Sequence, residues 1–102
     1  MSDSRRSIVL VALQQALLGE VTDRLRCVTV RYSDVAVHFT AYVDGALTDD
    51  DREAMSRVET ELMAVLPESE AVSHTVVRLD APAPLPKDTT WVYYRAEPDA
   101  AG

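Results

Sequence analysis

The chain has 102 residues, a formal net charge of −7 at pH 7, 47% hydrophobic residues and one cysteine. This length is typical of one domain, and the hydrophobic content supports a modest core and argues against intrinsic disorder. One cysteine excludes an internal disulfide, and no apolar run approaches the roughly 20 residues that span a bilayer. We therefore expect a cytoplasmic protein that does not associate with a membrane.

The 17 acidic residues against 10 basic ones indicate the class of partner. Proteins that bind nucleic acid neutralise phosphates with basic side chains, so the acidic excess argues against a nucleic acid partner. An acidic surface instead attracts cationic partners and speeds their encounter. Solubility alone is the other explanation of this charge.

The first half of the chain predicts one helix and a hairpin. Residues 3–18 carry an apolar stripe at helical spacing: Ile8, Val11 or Ala12, Ala16 and the Leu17–Leu18 pair. Gly19 follows as a C-terminal cap. Two alternating runs, 25–32 and 35–43, flank a short polar turn and predict an antiparallel pair of strands. In the second run we expect Val35 and every second residue after it to face the core.

The second half predicts a helix and two further strands. Thr48 is a candidate N-cap, the acidic residues Asp49, Asp50, Asp51 and Glu53 follow it, and apolar spacing continues to about residue 66. Residues 71–79 and 91–95 are typical of strands. The proline-spaced connection 80–88 is either a stiff loop or a ligand for an aromatic groove.

The element order α-β-β-α-β-β predicts an α+β fold, a two-layer sandwich with two helices on one face of a four-stranded, mostly antiparallel sheet. We expect both hairpins to be antiparallel, while the sequence leaves open how they join. The predicted domain covers residues 3–97, and residues 98–102 are predicted to form a flexible tail.

No pattern typical of catalysis or cofactor binding is present in the sequence. There is no glycine-rich phosphate loop, no zinc-ligand spacing and no nucleophile elbow, so we expect neither an enzyme nor a bound cofactor or metal. His38 and His74 could meet as a metal or acid–base pair in a small-molecule sensor, but two unrelated strand histidines are the simpler interpretation. Cys27 is expected to be a buried, unreactive thiol.

Two candidate partner-binding surfaces follow from the predicted elements. One is the acidic helix start, Asp49, Asp50, Asp51 and Glu53, which could also hold a divalent ion or serve only as a cap. The other depends on the phase of the last strand. If Val92 and Tyr94 face the helices, the opposite sheet face displays His38, Tyr42, Trp91 and Tyr93, which include residue types common at binding hot spots. With the phase reversed, Trp91 and Tyr93 belong to the core.

Six segments resemble a family of small bacterial proteins found beside polymorphic or contact-dependent toxin genes and described as immunity-like. These segments are 16–22, 25–30, 42–45, 60–64, 77–82 and 91–93. The resemblance implies a cytosolic protein that binds a partner protein, a toxin domain, and it assigns no functional residue.

Together these features predict a non-enzymatic, acidic protein-binding module that neutralises a co-encoded, basic toxin domain by occlusion. The alternative is a homo-oligomeric structural or scaffolding protein, for example a homodimer, that associates through its sheet face.

Overall fold

The computed structural model describes residues 2–97 and contains two helices and four strands. The elements are α1 (Ser2–Leu17), β1 (Leu25–Tyr32), β2 (Ala36–Val43), α2 (Asp49–Val65), β3 (Ala71–Arg78) and β4 (Thr90–Tyr94). This order confirms the predicted α-β-β-α-β-β arrangement and the α+β class. The predicted tail, residues 98–102, lies outside the described residues.

The four strands form one mixed sheet in the order β3-β2-β1-β4. β1 pairs antiparallel with both β2 and β4, so two of the three strand pairs are antiparallel. β3 instead runs parallel to β2, with Phe39 opposite His74. β3 and β4 are the two edges of the sheet and do not pair, so the prediction that they form a hairpin is wrong. A parallel neighbour requires a crossover, and α2 supplies it between β2 and β3.

Both helices pack on one face of the sheet, and the core lies between the layers. The buried side chains of β2 are Val37, Phe39, Ala41 and Val43, which confirms the alternation predicted for that strand. Val35 was expected to belong to the same face, but it is 64% exposed because the strand begins one residue later, at Ala36.

The buried side of α1 matches the prediction only in part. Ile8 and Val11 were expected to face the core, yet they are 55% and 50% exposed. The predicted Ala16 and Leu17 are buried, together with Val9 and Leu13, and Ala12, the alternative to Val11, packs against the core. Apolar residues occupy two sides of this helix, so helical spacing alone could not determine which side is buried.

The connection between β3 and β4 crosses the sheet face opposite the helices. These strands are the two edges of the sheet, and residues 79–89 join them. Arg26 donates hydrogen bonds to the carbonyl oxygens of Leu79 and Ala83, at 2.9 and 2.8 Å. Beneath this connection Cys27 is fully buried on a face that would otherwise be open to solvent.

Candidate functional site

The acidic start of α2 contains one carboxylate with a structural role. Thr48 caps the helix by accepting a hydrogen bond from the Asp51 backbone N–H, and the Asp51 side chain accepts one from the Thr48 N–H. Arg24 also donates to both Asp51 carboxylate oxygens, at 2.8 and 2.7 Å. Burial raises the pKa of Asp51, but the hydrogen bonds from Arg24 and Thr48 outweigh it and hold the pKa below its ordinary value.

The other acidic residues at this helix start face solvent. Asp50 and Glu53 are exposed, and the Asp49 side chain is 98% exposed, 4.0 Å from Arg52. An ion pair so open to water contributes little to stability. The four predicted residues therefore divide into one bound carboxylate, Asp51, and three that are free to meet a partner.

Within residues 2–97, no three His, Cys, Asp or Glu side chains are grouped so that they could hold a metal ion. A cavity of about 270 Å³ lies between the C-terminal end of α1 and the start of α2. Its lining includes Asp51, bonded to Arg24, and Glu20, which accepts hydrogen bonds at 2.9 Å from Arg57. These polar groups are already satisfied within the chain.

His38 lies on the sheet face opposite the helices, between two hydroxyl groups of β3. Its Nδ1 is 2.7 Å from the Ser73 Oγ, and its Nε2 is 3.1 Å from the Thr75 Oγ1. Burial and the nearby Arg31 charge lower the pKa of this imidazole. In a serine-histidine-aspartate triad, a carboxylate bonds to the imidazole nitrogen that does not contact the serine. Here the Thr75 hydroxyl occupies that position, so Ser73 and His38 do not form such a triad.

His74 lies on the opposite side of the sheet from His38. Its ring stacks on Phe39, with centroids 5.3 Å apart, and its Nδ1 is 2.7 Å from a carboxylate oxygen of Glu59 on α2. The sheet thus separates the two histidines that could have formed a metal or acid–base pair.

A bulge in β4 changes the predicted alternation of its side chains. Trp91 pairs with Thr29 and Tyr93 pairs with Val28, so one strand has an extra residue, Val92, at this point. Tyr93 and Val92 consequently pack against the core beneath α1, which corrects the prediction that Tyr93 lies on the outer face.

Trp91 and Tyr94 form the aromatic part of the outer face. They are 39% and 59% exposed, and their rings meet edge to face with centroids 5.1 Å apart. The Trp91 Nε1 donates to the Pro86 carbonyl oxygen at 3.0 Å, which fixes the ring against the crossing connection. The structure thus brings an aromatic pair together here, but with Tyr94 in the position predicted for Tyr93.

The predicted partner-binding residues therefore lie on different surfaces. Asp49, Asp50, Asp51 and Glu53 belong to the helix layer, and His38, Tyr42 and Trp91 belong to the opposite face of the sheet. Tyr93 lies at the edge of the sheet beneath α1, where it lines a groove with Leu18.

Cys27 has the surroundings of an unreactive thiol. Its burial raises the pKa to about 11, which leaves almost no thiolate at neutral pH.

Within residues 2–97, neither helix is long and apolar enough to cross a membrane.

Comparison of the sequence with known proteins identifies the family of this chain. None of the curated proteins compared matches the chain. The family model described as MafI2 immunity protein matches residues 6–97, which include all four strands and α2. This match confirms the resemblance to immunity-like proteins. The chain belongs to the MafI2 immunity protein family.

Proposed function

We propose that this chain acts without catalysis, as a cytoplasmic immunity protein that binds a basic toxin domain and covers its active site. Membership of an immunity protein family supports a toxin as the partner. The net charge of −7 supports a basic one, because opposite charge speeds encounter and favours the correct orientation. Asp49, Asp50 and Glu53 supply free carboxylates for this contact.

The observation that carries the proposal is the exposure of these three carboxylates. The family match over residues 6–97 includes all of them. Asp51 would act indirectly, by holding the helix start against Arg24. A domain of this size can offer one side of a standard interface, which buries about 1,600 Å² in total.

The direct test uses the toxin domain encoded beside this chain in its source genome. Purified chain and toxin domain are mixed, and both the toxin's activity and the dissociation constant are measured at 50 and 300 mM salt. We expect inhibition that is complete at a 1:1 ratio, with binding that weakens as salt rises because salt screens the attraction. Full toxin activity in the presence of excess chain would refute the proposal.

The exposed aromatic pair of Trp91 and Tyr94 favours a second candidate, a homo-oligomer that associates through the outer sheet face. Sedimentation of the purified chain separates the two candidates. A stable dimer with Trp91 shielded from fluorescence quenchers supports association through the sheet. A monomer with quenchable Trp91 supports the immunity proposal.

A further inference from the structure

The solvent-facing side of α1 carries no charge over more than three turns. Its exposed residues after Arg6 are Ser7, Ile8, Val11, Gln14, Gln15 and Leu18, the last of them just beyond the helix. An exposed helix side ordinarily displays charged and polar residues, and 26% of this chain is charged. Depletion of charge is instead characteristic of the centre of a protein interface.

Four exposed apolar side chains of this region define what we call the apolar ridge: Ile8, Val11, Leu18 and Val21, which are 55%, 50%, 78% and 41% exposed. The spacings of three and seven between the first three put them on one side of the helix axis. An apolar groove of about 300 Å³ lies beside the ridge, and its lining includes Leu18, Val21, Val92 and Tyr93. The exposed Gln14 and Gln15, polar but uncharged, lie between Val11 and Leu18. Exposed apolar patches bordered by polar residues mark interaction sites.

Acidic residues of α2 border the apolar ridge. The Arg57 side chain bonds to Glu20, just after α1, and this contact identifies the side of α2 that faces α1. Glu53 precedes Arg57 by four residues, on the same side of α2, and is exposed. Asp50 lines the same cavity as Glu20 and Arg57. Glu61 follows Arg57 by four residues, on the same side of the helix, and is exposed.

We propose that the apolar ridge is the surface on which the toxin domain docks. The inference rests on the proposed immunity function and gives the partner a stated chemistry. The toxin surface has apolar side chains opposite Val11 and Leu18, and lysine or arginine side chains opposite Asp50 and Glu53. Charge complementarity favours this occupant over a second copy of the chain, since two copies would each bring a net charge of −7 to the contact.

The test introduces one positive charge at the centre of the ridge. Val11→Arg and Leu18→Arg should each weaken binding to the neighbouring toxin domain at least tenfold, because a buried, unpaired charge at an interface centre is costly. Met63→Arg is the matched control. Met63 is 56% exposed, comparable with Val11, but it lies on a different side of α2 from Arg57.

Thermal melting of each variant, followed by circular dichroism, distinguishes lost binding from lost folding. We expect unchanged melting temperatures, because all three side chains are exposed. Weakening by the ridge variants alone supports the proposal. Unchanged binding by both ridge variants overturns it while leaving the immunity function intact. Failure of the unaltered chain to bind the toxin overturns the immunity function and this inference together. A stable dimer of the unaltered chain that Leu18→Arg dissociates would show that a second copy covers the ridge, and would also overturn it.

Discussion

Arg26 brings a guanidinium group into the interior beneath the crossing connection, where its side chain is 2% exposed. Its Nε and Nη2 donate to the two carboxylate oxygens of Glu97, both at 2.8 Å. Its Nη1 and Nη2 also donate to the Leu79 and Ala83 carbonyl oxygens. A buried charge is tolerated only when it is paired and hydrogen-bonded, so Arg26 ties the connection and residue 97 to the middle of the sheet.

Replacing Glu97 tests this arrangement. Glu97→Gln removes the negative charge that balances Arg26, and we expect the free energy of unfolding in urea at pH 7 to fall by about 2 kcal/mol. Arg78→Ala is the control, because the Arg78–Asp80 pair is exposed and its loss should cost well under 1 kcal/mol. Equal losses for the two variants would contradict a structural role for the buried pair.

The same variant should change the dependence of stability on pH. Hydrogen bonds from Arg26 and then from Arg95 lower the pKa of Glu97 from 4.5 to about 2. The folded pKa is below the unfolded one, so the contribution is complete above pH 4.5 and is lost as pH falls towards 2. Glu97→Gln should therefore lose less stability than the unaltered chain over this range. An identical acid profile would show that Glu97 is not paired in solution.

The start of α2 illustrates how one short sequence determines a helix terminus. Thr48 and Asp51 exchange two hydrogen bonds, and Arg24 then attaches that terminus to the sheet. We expect Thr48→Ala to lower the free energy of unfolding by about 1 kcal/mol. Asp51→Ala should lower it further, because Arg24 loses its partner as well.

Asp49→Ala serves as the control for this series, since the Asp49 side chain is 98% exposed and makes only a 4.0 Å pair. The free energy of unfolding of this variant should stay within about 0.5 kcal/mol of that of the unaltered chain. A destabilisation by Asp49→Ala as large as that by Asp51→Ala would contradict the division of this acidic group into bound and free carboxylates.

Local signals in the sequence were sufficient to predict the elements but not their arrangement. The Thr48 cap and the alternation of β2 depend on neighbours in the chain, and both predictions are confirmed. The parallel pairing of β2 with β3 depends on residues more than 30 positions apart, such as Phe39 and His74, and no turn specifies it. The bulge at Val92 depends on the register against β1, so the face occupied by Tyr93 could not be predicted either.

The apolar ridge was missed for a related reason. The run of apolar residues from Ile8 to Leu13 includes both the buried and the exposed side of α1, so periodicity identifies a helix without showing which side is buried. The lack of charged residues between Ser7 and Leu18 was the signal that could have indicated a second contact surface. The position of α2, which adds the acidic border, follows only from the tertiary fold.

The distribution of charge over the folded chain concentrates its negative character on particular surfaces. Within the part of the chain that the structure describes, six of the ten basic side chains bond closely to a carboxylate: Arg5, Arg24, Arg26, Arg57, Arg78 and Arg95. Pairing neutralises these charges locally, so the field around the molecule comes mainly from the acids left over. Asp50 and Glu53 contribute to it at the end of the ridge near Glu20, where Arg57 joins α2 to the residues after α1. Asp34 and Glu68 contribute near the opposite end of α1, where Arg5 bonds to Ser33 and Glu70.

Two double variants with the same change in net charge separate local from global attraction. Asp50→Lys/Glu53→Lys and Asp34→Lys/Glu68→Lys each raise the net charge by four, from −7 to −3. Glu68 follows the far end of α2, about 25 Å along its axis from Asp50.

We expect the Asp50→Lys/Glu53→Lys variant, the first of the two, to slow association with the toxin domain roughly tenfold at low salt, because it removes the field where the partner docks. The second should slow association much less. Stopped-flow measurements at several salt concentrations compare the two directly, and equal slowing would mean that total charge governs the encounter and not the acidic border of the ridge.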